Sequence, residues 1–135
     1  MAGSFSDYLE DEVLDHVFGG ATYTPPATLY AQAYTATPSD SGGGTQITTN
    51  GHARVAITNN LTNFPAASGG AKSNGTAITW GAASGGSWGD VAAVGFFDAS
   101  SGGNLIGWSD VPAAKTIDDG DVLFIPVGAL TITLT

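Results

Sequence analysis

Apolar positions change rhythm along this chain, from every fourth residue near the start to every second residue after about residue 27. Over residues 4–20, Phe5, Leu9, Val13 and Val17 recur at the spacing of one face of an α-helix. Ser4 or Ser6 is placed to cap the free N–H groups, and Asp7 and Glu10 suit the positive end of the helix dipole. His16 falls in the last turn, and Gly19-Gly20 can supply a left-handed stop. The stripe needs a surface to lie on: either the domain's own sheet or another subunit.

Thr24-Pro25-Pro26 blocks any continuing helix, and the pattern is β from there to the end. Strands are predicted over 28–34, 53–58, 76–80, 91–97, 105–108, 122–125 and 129–134. The last alternates Leu130, Ile132 and Leu134 with Thr131, Thr133 and Thr135, so one face is buried and the other is neutral and polar. Residues 91–97 are continuously apolar, which predicts a central strand covered on both sides, with Gly95 marking a close approach or a bulge. Ser-Gly-Gly recurs at Ser41, Ser68, Ser84 and Ser101, each time between predicted strands, where glycine supplies the positive φ of tight turns. Residues 98–104 read as a hairpin loop and Asp118-Asp119-Gly120-Asp121 as a second turn. The expectation is a mainly β protein: a single β-sandwich, Ig-like or jelly-roll-like, of about seven or eight short strands with one N-terminal α-helix. Residues 1–20 form an amphipathic helix or arm and residues 21–135 the sandwich domain. Chain ends are disordered unless tied down, so an arm ordered from Met1 onward would be one gripped by a neighbouring subunit.

Charge narrows the partners. The 135 residues carry 3 Lys or Arg against 12 Asp or Glu, a net charge of −9 with only 11% charged residues. Three bases cannot build the phosphate-neutralising patch of a nucleic-acid binder or a polybasic membrane anchor. Five acids, Asp7, Glu10, Asp11, Glu12 and Asp15, crowd onto the predicted helix, which leaves the much longer β body sparsely charged. There is no cysteine, hence no disulfide and no thiolate metal site. The acidic start lacks the basic and apolar regions of a secretory signal, so synthesis in a cytoplasm without export is expected.

Candidate chemistry is sparse. His16 and His52 sit in no nucleophile or metal motif, so no catalytic residue, no metal site and no cofactor is assigned, and the chain is not expected to be an enzyme. Asp118, Asp119 and Asp121 lack the spacing and closing Glu of a calcium loop and read as a solvated turn. Trp80 and Trp108 end predicted strands. Trp88 lies in the glycine-rich Ser84-Gly85-Gly86-Ser87-Trp88-Gly89-Asp90, where it either contacts a sugar or protein partner or folds back over the end of the sandwich. The candidate interface residues are Phe5, Leu9, Val13, Val17 and Trp88.

Several segments taken together carry a family resemblance. They are 4–20, Pro26-Ala27-Thr28-Leu29-Tyr30, Lys72-Ser73-Asn74-Gly75-Thr76-Ala77-Ile78-Thr79, Trp88-Gly89-Asp90-Val91, Gly95-Phe96-Phe97-Asp98-Ala99, Gly103-Asn104-Leu105-Ile106-Gly107-Trp108 and Gly128-Ala129-Leu130-Thr131-Ile132. Over nearly its whole length the chain resembles small tailed-bacteriophage virion proteins, often described as tail-fibre-like. In such proteins the stretch after Leu29-Tyr30 is plainly apolar; here Gln32 interrupts it. The resemblance implies a virion component, made in the host cytoplasm, and brings no catalytic residues. The role expected first is a decoration or cement protein on the outer head surface, bound to the major capsid protein or other virion proteins as a dimer or trimer. The alternative is a tail-fibre or tail-tip protein in host attachment, for which a glycan would be the ligand.

Overall fold

In the computed structural model, residues 3–134 are described. Met1, Ala2 and Thr135 lie outside them, and with them the expected grip at Met1 and the last threonine of the closing alternation. The described chain forms β1 (Gly3–Phe5), α1 (Asp7–Gly19), β2 (Thr28–Ala36), β3 (Thr45–Gln46), β4 (Val55–Thr58), β5 (Ala71–Ser73), β6 (Ile78–Thr79), β7 (Gly89–Phe97), β8 (Leu105–Ile117), β9 (Phe124–Ile125) and β10 (Thr131–Thr133). The fold is mainly β with one helix, as expected, and is consistent with a β-sandwich.

The larger layer is a mixed sheet in the order β3-β2-β7-β8-β1-β10-β5, with β4 beside β2 on the edge that also carries β3. The smaller layer is the antiparallel ribbon of β6 and β9. Between them lie Leu29, Ala31 and Ala33 of β2, Val91, Val94 and Phe96 of β7, and Ile78, Trp80, Leu123 and Ile125 from the ribbon region. A second cluster, Tyr34, Ala93 and Phe97, occupies the opposite face of β2 and β7. Strand β7 is therefore covered on both faces, which its unbroken apolar run requires. Gly95 in its middle marks a close approach: a Cβ there would stand 2.8 Å from Tyr34 Cε1.

Three strands escape the sequence reading. Residues 4 and 5, expected in the helix, belong instead to β1, antiparallel to β8 through Ser4↔Trp108 and parallel to β10 through Ser4↔Thr133. Strands β3 and β5 are two and three residues long, too short for a periodic signal. Strand β8 outruns its predicted end at residue 108. Its register against β7 jumps between Val91↔Lys115 and Ala93↔Asp110, and the residues left over include Pro112. A proline lacks the N–H that ladder pairing needs, so it sits where pairing is interrupted. Gln32 is buried, yet its amide N–H groups donate to Ala33 O and Ile47 O, both at 2.8 Å. The polar interruption in β2 is thus a satisfied one.

Candidate partner interface

The helix begins at Ser6. Its backbone is extended, and its hydroxyl accepts from the Leu9 N–H at 3.2 Å, the geometry of an N-cap. The same hydroxyl donates to the carbonyl of Leu105, which ties the helix start to β8 across the length of the chain. Asp7 and Glu10 lie in the first turn. Gly20, at φ 69°, ends the helix in the left-handed conformation, and its N–H donates to Asp15 O.

The four-residue stripe does not stay on one side. A residue advances about 100° around an α-helix, so a strict i+4 repeat drifts by about 40° at each step. Phe5 lies before the helix, half-buried in β1 opposite Gly107. Leu9 is buried, Val13 half-buried, and Val17 61% exposed. Leu14 and Phe18 are 55% and 84% exposed. With Val17 they form an apolar triplet at i, i+3 and i+4 on the far half of the helix, bare in this chain. The sequence reading missed Leu14 and Phe18, although that spacing is itself a helical-face signal. Trp88 is not brought near them. It is 6% exposed in the core, donates its indole N–H to Asn50 O at 2.8 Å, and stacks edge-on with His52 at 5.0 Å.

Phe5 and Leu9 do meet, in the wall of an apolar groove of about 280 Å³. Leu29, Phe64, Phe96, Ile106, Leu130 and Ile132 are among its other apolar lining residues. Leu134, 53% exposed, lies at its edge, and Lys72 of β5 is the one charged side chain lining it among the described residues. Asn74, also in its lining, is buried with both ends of its amide engaged: its N–H groups donate to Thr76 O and Pro126 O, and its carbonyl accepts from the Leu130 N–H.

A polar cleft of about 400 Å³ lies beside β2, lined among others by Gln32, Gln46, His52 and Arg54. Arg54 Nε donates to Gln32 Oε1 at 3.0 Å. Its Nη1 donates to Ala99 O and Gly102 O, both at 2.8 Å, and its Nη2 to Gln46 Oε1 at 3.2 Å. The guanidinium thus pins the 98–104 loop to β2, a job read from no motif in the sequence. Burial, and then the Arg54 charge, push the His52 pKa down to about 4. The neutral ring that results accepts from the Ala33 N–H through Nε2 at 3.3 Å. Burial likewise drives the Tyr34 hydroxyl up to about 12. Among the described residues no group of three His, Cys, Asp or Glu side chains is placed to hold a metal, and no helix is long and apolar enough to cross a membrane.

No curated protein matches the chain. One family model does, over residues 4–133, and its description is Podophage GP4 fiber I protein gp80.

Proposed function

The chain belongs to this family of small, tail-fibre-like tailed-phage virion proteins, and from that premise we propose that it is a fibre-associated structural subunit that works by close packing in an assembly. A phage virion structural protein, fibre-related, is what the family match establishes. The finer placement in the tail rests on the fibre description, and the packing role on one observation: Leu14, Val17 and Phe18 leave a contiguous apolar face in water. Such a face marks a surface that a neighbour covers. The partners in this reading are other virion proteins and further copies of the chain. No catalytic role is assigned, in keeping with a structural fibre family.

A second reading places the chain on the outer head as a decoration subunit. It is favoured by the charge layout: a net charge of −9, with five acids on one helix and the other seven acids set against three bases in the β body. Quantitative gel densitometry of purified virions separates the two. A small number of copies per particle is expected; hundreds of copies would overturn the fibre reading in favour of the shell.

A further inference from the structure

We propose that the bare helix end of one copy, led by Phe18, seats in the Lys72-lined apolar groove of a second copy of this chain. The proposal rests on the assembly reading above and names the partner. Two unfilled apolar features lie on one molecule: a protruding triplet, Leu14, Val17 and Phe18, and a groove of about 280 Å³. The chain cannot join them itself. Leu9 stands in the groove wall, and Phe18 is nine residues further along a rigid helix, roughly 13 Å away along the axis. A groove filled by such a side chain is therefore filled from outside.

Charge selects the groove and the occupant together. Asp15 and Asp11 precede Phe18 by three and seven residues and share its side of the helix, both exposed. A seated Phe18 carries these two carboxylates to the groove rim. The whole chain holds three basic residues, Arg54, Lys72 and Lys115. Arg54 is engaged within its own fold by four hydrogen bonds. Of the two lysines, Lys72 is the one that lines an apolar groove. The acidic, apolar-tipped helix thus has a complementary surface on its own chain type: an apolar slot with a single cation in its wall.

Sedimentation equilibrium of the purified full chain tests this. The wild type is expected to self-associate in the micromolar range. Phe18→Asp should weaken association on the order of thirty-fold or more, the effect of removing a buried anchor. Val17→Asp is the second variant, and circular dichroism checks the fold of both. Lys72→Glu should also weaken association, and the pair Lys72→Glu with Asp15→Lys should restore part of it. A wild-type monomer at 100 µM, or an undiminished Phe18→Asp oligomer, would overturn the proposal. So would a Lys72→Glu variant that associates like wild type, since the helix end would then sit elsewhere. Loss of Phe18→Asp protein from virions with a monomeric wild type would assign the helix to a different virion protein. The virion copy count reports on location alone, so failure of the fibre reading and failure of this contact are told apart.

Discussion

The guanidinium of Arg54 lies over the ring of Phe97, 3.8 Å from its centroid, while its N–H groups hold the loop that follows that strand. One side chain therefore joins β4's approach, β2 and the 98–104 hairpin. The stack uses the face of the aromatic ring, and the planar fork supplies donors in three directions.

Replacing Arg54 by Gln should destabilise the fold by about 2–3 kcal/mol, because Gln32 Oε1 is left buried without its donor and two loop carbonyls lose theirs. Arg54→Lys should recover only part of this, since an ammonium cannot reach all four acceptors at once. Urea denaturation of the three proteins measures both steps.

His52 makes stability depend on pH. Its folded pKa, about 4, lies below its ordinary value of 6.5, so the unfolded chain takes up the proton more readily. Its contribution is complete above pH 6.5 and is lost as the pH falls toward 4. Solvent reaches the half-buried ring, which moderates the size of the loss. Thermal melts at pH 7 and pH 4.5 should show a larger drop for wild type than for His52→Gln, in which only this titration is removed. Equal drops would contradict the assignment.

Asn74→Ala should cost about 2–4 kcal/mol, since the buried Leu130 N–H loses its acceptor and the Thr76 and Pro126 carbonyls each lose a donor, although Ala129 N–H still donates to Pro126 O. Asn74→Asp should be no milder, because a carboxylate accepts from Leu130 but donates to neither carbonyl. Differential scanning calorimetry gives both values.

Deleting residues 3–18 should abolish the cooperative unfolding transition, because β1 is an interior strand between β8 and β10. Phe18→Ser, by contrast, should change monomer stability by no more than about 0.5 kcal/mol, since that side chain is 84% exposed. A folded truncation product would show that β1 is dispensable to the sheet.

Much of this fold is written locally. The helix with its Ser6 cap and Gly20 stop, the doubly covered strand β7 and the hairpin at 98–104 each follow from residues within a few positions of one another. Periodicity, capping and turn chemistry are short-range, so one sequence shows them. What tertiary structure decided lies in pairings across the chain. Gly3–Phe5 is a strand only because residues 107–109 and Thr133 come to meet it. Gln32 is buried only because Arg54 and Ile47 satisfy it. Trp88 enters the core because Asn50, 38 positions away, accepts its N–H. The candidate interface divides in the same way. Its helix was legible, but which half of the helix stays bare depends on how far the body of the protein reaches beneath it. That reach is set by strands from the other end of the chain, and no local pattern encodes it.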